Sequence, residues 1–139
     1  MNYTEHDQYG MYRNAEQRGP GPFLMGAETL IGNEVYNTQE EHLGEIKEIM
    51  LETGTGKVAY AVLSYGGVLG LGDKLFAVPW NALKLDTANK RFMLDVDKDR
   101  LKDAPGFDKD AWPSMSDRKW GGSLHEYYGT RPYWEMDQH

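Results

Sequence analysis

Between Thr29 and Val96 the apolar residues come in short runs, and almost every run is closed by glycine or by a polar turn. Runs of that length cannot supply the face of a long helix. They suit the short strands of an antiparallel barrel or sandwich, each turning back on the last. The clearest is 91–96, where Phe92, Leu94 and Val96 alternate with Arg91, Met93 and Asp95, as a strand with one buried and one wetted face requires. Segment 57–65 is apolar on both sides, with Val58, Tyr60 and Val62 on one and Ala59, Ala61, Leu63 and Tyr65 on the other. One of its faces is expected to meet the core and the other to be covered by the tail or by a partner.

Further strands are expected at 30–36, 43–51, 74–80 and 83–86. In 43–51 the spacing of Leu43, Ile46, Ile49 and Met50 is nearer to helical than to period two. Gly44, the short length and the flanking Gly54 and Gly56 favour a bulged strand, because one extra residue moves the inward phase by one. Thr53-Gly54-Thr55-Gly56 can supply the positive backbone angles of a tight hairpin. Pro79 has no N–H for a ladder and belongs at an edge, a bulge or a strand end, and Trp80 is expected to pack where the barrel closes. Residues 99–104 suit a single helical turn capped by Asp97 or Asp99 and stopped before Pro105.

The chain of 139 residues is sized for one domain. Residues 1–27, which include Arg18-Gly19-Pro20-Gly21-Pro22, read as a flexible arm. Residues 106–139 show no regular element, yet they carry Phe107, Trp112, Trp120, Tyr127, Tyr128, Tyr133 and Trp134, too many rings for a purely solvating tail. The expected architecture is all-β: a small antiparallel β-barrel over 28–107 with a short helical turn, and an aromatic-rich C-terminal extension over 108–139 packing on the barrel or on a partner.

Three stretches stand in a specific order: Leu30-Ile31-Gly32-Asn33-Glu34-Val35-Tyr36-Asn37, then Leu43-Gly44-Glu45-Ile46 leading to Met50-Leu51, then Thr55-Gly56-Lys57-Val58-Ala59-Tyr60-Ala61-Val62-Leu63. With Gly66-Gly67 and Gly70-Leu71-Gly72-Asp73-Lys74-Leu75-Phe76-Ala77-Val78-Pro79-Trp80, they resemble the PRC-barrel domain over roughly 27–107, and the stand-alone bacterial members in particular. Ala104-Pro105-Gly106-Phe107, Trp112-Pro113 and Tyr127-Tyr128-Gly129 are similar to the tails of those members. The fold is shared by the cytoplasmic part of the photosynthetic reaction centre H subunit and by the C-terminal domain of a ribosome maturation factor. The resemblance implies a small barrel used as an adaptor or assembly module, and it carries over no catalytic residue. The membrane helix of the first relatives and the second barrel of the others have no counterpart here, so neither specific function is carried over.

Residue types narrow the chemistry. Cysteine is absent, which removes disulfides, thiolate metal sites and thiol nucleophiles, and fits a reducing compartment. Twenty-two acidic against 15 basic residues give a net charge of −7, which opposes a phosphate backbone. The loop 66–72 lacks the Lys-Ser or Lys-Thr of a phosphate loop and reads as a hairpin or contact loop. His6, His42, His125 and His139 form no ligand spacing; His42 beside Glu40 and Glu41, and His125 beside Glu126, read as solvated acidic stretches rather than metal sites. Asp95, Asp97 and Asp99 lack the glycine and terminal glutamate of a calcium loop, and Ser64, Ser114, Ser116 and Ser123 lack a nucleophile's context.

The expected function is a non-catalytic protein-binding or assembly module, cytoplasmic, without cofactor, metal or membrane insertion, and forming a homodimer. The expected interface residues are Tyr60, Val68, Leu69, Leu71, Trp112, Trp120, Tyr127, Tyr128, Tyr133 and Trp134. Two alternatives stand beside it. One is an RNA- or ribosome-associated accessory protein. The other is an enzyme with an unrecognised site drawing on His42, Tyr60 or Asp73.

Overall fold

The short apolar runs become strands of one curled sheet in a computed structural model, which describes residues 24–65 and 74–135. The strands are β1 (Glu34–Tyr36), β2 (His42–Leu51), β3 (Val58–Tyr65), β4 (Lys74–Pro79), β5 (Leu83–Asp86) and β6 (Arg91–Leu94), in the spatial order β4-β3-β2-β1-β6-β5. Helices α1 (Ala27–Leu30), α2 (Lys98–Asp103) and α3 (Arg118–Tyr127) accompany them. Edge strands β4 and β5 are separated in the chain only by the 3-10 turn Trp80–Ala82, so the sheet must curl until its two edges approach. Pro79 ends edge strand β4, where a missing N–H breaks no ladder. Phe107 adds a bridge along that edge through two bonds with Leu75, of 2.9 and 2.8 Å.

Two features overturn the expectation of an all-β antiparallel fold with one short helical turn. First, β1 pairs with β6 in parallel, Val35 opposite Phe92 and Tyr36 opposite Met93, so the sheet is mixed. Second, the segment 106–139, in which no regular element was expected, holds the ten-residue α3. Its N-cap is Asp117, whose side chain accepts from the Lys119 N–H at 2.9 Å. Trp120 and Leu124 are spaced by four residues and share the face turned to the sheet. Gly121 and Gly122 weaken the helix's intrinsic preference, and it is packing against the sheet that holds it. Helix α1 takes in Leu30, where the first strand was expected to begin, and β1 starts only at Glu34.

The bulged reading of β2 holds. Its pairing with β3 jumps between Ile46 and Glu48, leaving Lys47 as the extra residue. Ile46 and Ile49 therefore sit opposite Leu63 and Ala61 on one face, although three residues apart. The hairpin after β2 closes with Glu52 N–H to Lys57 O at 2.8 Å, and Gly56 takes a φ of 79°. Helix α2 lies where a helical turn was expected, with Asp97 at its N-cap position but no side-chain cap bond.

Register divides the sheet into two apolar faces. Ile46, Leu63 and Phe76 line up across β2, β3 and β4, and with Val35, Leu43, Phe92, Leu94 and Leu101 they fill the main core. The opposite phase carries Tyr60, Val62 and Ala77, and Tyr60 and Ala77 form a second core with Ala59 and with Leu124 of the C-terminal segment. Each large side chain so buried is worth about 1.5–3 kcal/mol relative to exposure. The expected arm up to residue 23, and the loop bearing Val68, Leu69 and Leu71, lie outside the described residues.

Candidate functional site

The second face of β3 is built around Tyr60, which is 1 % exposed. Trp120 meets its ring edge-on at 5.3 Å, Tyr133 does so at 5.7 Å, and His125 lies tilted at 5.6 Å. The helix comes this close because position 121 is glycine: a Cβ there would stand 2.4 Å from the Tyr60 hydroxyl. That hydroxyl has no hydrogen-bond partner among the described residues, and burial pushes its pKa up.

His125 is wholly buried and uses both ring nitrogens. Its Nδ1 lies 3.0 Å from the Gly121 carbonyl oxygen, and its Nε2 lies 3.1 Å from the Tyr133 backbone N–H. A carbonyl can only accept and an N–H can only donate, so the ring is neutral with its proton on Nδ1. Burial pulls the His125 pKa down, against the upward pull of Glu135. The Tyr133 hydroxyl donates to Glu52 at 2.9 Å, and Thr55 donates to the other oxygen of the same carboxylate at 2.7 Å. Those two bonds, Thr55 first, hold Glu52 below the usual carboxylate range.

Beside this covered face a cleft of about 260 Å³ opens between the end of β2 and the C-terminal segment, lined by Met50, Leu51, Glu52, Tyr60, Met115 and Tyr133. Leu51 stands at its rim and is 57 % exposed. A second, open groove of about 360 Å³ is lined by Asp95, Asp97, Arg100, Glu126, Tyr127 and Tyr128. Its one cation is engaged: the Arg100 guanidinium stacks 4.2 Å from the Tyr127 ring and donates to the Tyr127 carbonyl, while the Tyr127 hydroxyl donates to the Arg100 carbonyl at 2.6 Å.

The expected interface residues thus divide. Tyr60, Trp120 and Tyr133 pack on one another, and Trp134 lies 5.8 Å from His125. Tyr127 and Tyr128 line the acidic groove, with burial pushing the pKa of Tyr128 up. Trp112 is the most exposed of the set's described residues at 43 %, its ring 5.1 Å from Phe107 and its Nε1 donating to the Lys109 carbonyl at 2.8 Å. Sequence reasoning missed Leu51, Met115 and the role of His125. For His125, a signal lay in its position one residue after Leu124 on an amphipathic stretch behind an Asp cap.

His42 pairs with Glu34, and the described residues contain no group of three or more His, Cys, Asp or Glu able to hold a metal ion. No helix among the described residues is long and apolar enough to cross a membrane. No curated protein matches the chain. The PRC-barrel domain model does match, over residues 24–101, a span that takes in all six strands of the curled sheet, and on that match the chain belongs to the PRC-barrel family.

Proposed function

We propose that this chain is a self-associating, non-catalytic assembly module working in the cytoplasm, and that copies meet at the Leu51 rim of the cleft. PRC-barrel domains are generally non-catalytic protein-interaction modules. The observation that carries the placement is Leu51 itself: a large apolar side chain held out at the cleft rim, with Met50 and Met115 behind it. Methionines adapt their shape to a partner at little cost, which suits them to contact surfaces. Trp112 is a further exposed apolar side chain available for contact. Tyr60 and Tyr133 line the inner side of the same cleft, and with Trp120 they cover the sheet beside it, which confines the contact surface to the rim. The absence of cysteine agrees with a reducing compartment.

Light scattering after size exclusion tests the proposal on the full chain and on Leu51→Lys. The parent is expected to elute as a dimer and the variant as a folded monomer. A parent that stays monomeric at high micromolar concentration overturns self-association. A variant that stays dimeric overturns the placement at Leu51.

A further inference from the structure

Around the Tyr60 face, the C-terminal residues 128–135 fold back over the sheet and end in the 3-10 turn Tyr133–Glu135. Thr130 anchors the start of this strap, with its N–H on the His125 carbonyl at 2.9 Å and its hydroxyl 3.4 Å from the same oxygen, and beyond Thr130 few polar bonds hold it. Lys57 Nζ reaches the Tyr133 carbonyl at 3.4 Å, Asn81 donates to the Arg131 carbonyl at 3.1 Å, and the Tyr133 hydroxyl donates to Glu52. The fourth is the Tyr133 N–H on His125 Nε2. It differs in kind from the others, because its acceptor is an imidazole lone pair, which binds a proton as the solution becomes acidic.

We propose that His125 is a proton-operated latch: its neutral ring ties the Tyr133–Glu135 turn to α3, and a proton bound at Nε2 releases that turn and uncovers the Tyr60 face. The proton comes from solvent and occupies the lone pair that now accepts the Tyr133 N–H. Two N–H groups then face each other at 3.1 Å with no acceptor between them. The other ring nitrogen gives no relief, since Nδ1 already carries its proton toward the Gly121 carbonyl. The ring is also wholly buried among Tyr60, Tyr133 and Trp134, so the new charge has no water to solvate it.

The charged and titratable groups around the ring set the direction. From β3, Tyr60 stays neutral because burial pushes its pKa up. From the strap, Tyr133 also stays neutral, raised by burial and by its bond to Glu52, while Glu135 is, among the described residues, the carboxylate whose charge favours the imidazolium. Arg118, on the ring's own helix, lies 5.2 Å from the Trp134 ring, and Lys57 and Glu52 engage Tyr133 rather than the imidazole. Desolvation outweighs Glu135, so the closed ring holds a proton less readily than a released one. Closure is therefore complete above the ordinary imidazole value of about 6.5 and weakens as pH falls through the lower value of the closed form.

A pH titration of the isotopically labelled full chain by NMR, from about pH 8 to about pH 4.5, tests this directly. At high pH the His125 ring should show the Nδ1–H tautomer. As the ring takes its proton, the Tyr133 amide and the Trp134 indole should move with the same midpoint. Protection of the Tyr133 amide against exchange should fall by about tenfold or more, while Ile49 and Leu63 in the sheet keep theirs. His125→Gln offers an uncharged acceptor to the Tyr133 N–H and should abolish the transition. A ring that stays neutral throughout overturns the latch, and so does loss of the sheet's protection together with the strap's. A transition surviving in His125→Gln assigns the effect to a carboxylate and overturns it equally. Should that variant fail to fold, the titration of the parent alone decides. The outcome does not depend on whether copies associate at Leu51.

Discussion

Asn37 shows how much a single polar side chain can fix when it is wholly buried. Its Oδ1 accepts the N–H groups of Gln39 and Glu41 at 3.0 and 2.9 Å, which shapes the turn from β1 to β2. Its Nδ2 donates to Glu41 at 2.7 Å and to the Val96 carbonyl at 3.1 Å, which ties that turn to the chain just past β6. One carboxamide thus joins segments 59 residues apart. The isosteric change Asn37→Asp keeps the acceptor and loses the donor, leaving a carboxylate oxygen facing a carbonyl and a second carboxylate. The expected loss is about 3 kcal/mol, since two bonds are lost and a buried charge is set against a carbonyl and a carboxylate. Urea unfolding should show it as a lower midpoint with an unchanged slope. Tolerance of the change would mean that Val96 and Glu41 relax away from position 37.

At the scale of the element, α3 sets two adjacent glycines in opposite roles. A Cβ at Gly121 would meet the Tyr60 hydroxyl at 2.4 Å and the Trp134 ring at 3.0 Å, whereas one at Gly122 would meet nothing within 4 Å. Gly122→Ala should stabilise the protein by about 0.5–1 kcal/mol, the usual gain of alanine over glycine in a helix interior. Gly121→Ala should destabilise it, because the helix must back away from β3 and loosen the Trp120, His125 and Tyr133 contacts together. Paired thermal melts decide this, and equal shifts in both variants would contradict the close approach. The same two glycines explain why α3 was not legible in the sequence: they dilute a four-residue apolar spacing that Trp120 and Leu124 otherwise supply. By contrast β3, β6, the Gly56 hairpin and the bulge in β2 were legible, because each rests on neighbouring residues. The parallel pairing of β1 with β6 was not, since it joins residues 57 apart by number and leaves no local pattern. Of the site, the need to cover Tyr60 was legible from the two apolar faces of β3. The exposure of Leu51 was not, because a second register shift between Met50 and Leu51 alters the phase at the strand's end.

For the molecule as a whole, the question is whether the segment beyond the family match is an appendage or part of the fold. The matched residues end at 101, yet the second core needs Trp120, Leu124 and Tyr133 from beyond that point. Burying Leu124 alone is worth about 1.5–3 kcal/mol, with the partly buried Trp120 and Tyr133 adding to it, against a total stability of about 5–15 kcal/mol for a domain of this size. A chain ending at Phe107 keeps the bridge on the β4 edge and loses this cover. It should melt well below the full chain, bind an apolar dye and aggregate on concentration, with Tyr60, Val62 and Ala77 facing water. Tyr60→Thr separates this cause from a general loss of structure, because its effect should reverse sign between the two lengths. In the full chain it removes the ring on which Trp120, His125 and Tyr133 pack, and lowers the melting temperature. In the shortened chain the same change takes an exposed ring off the sheet surface, keeps a β-branched residue in the strand, and should raise the soluble fraction. Losses of similar size in both lengths would place Tyr60 in the main core and leave the C-terminal segment without its covering role.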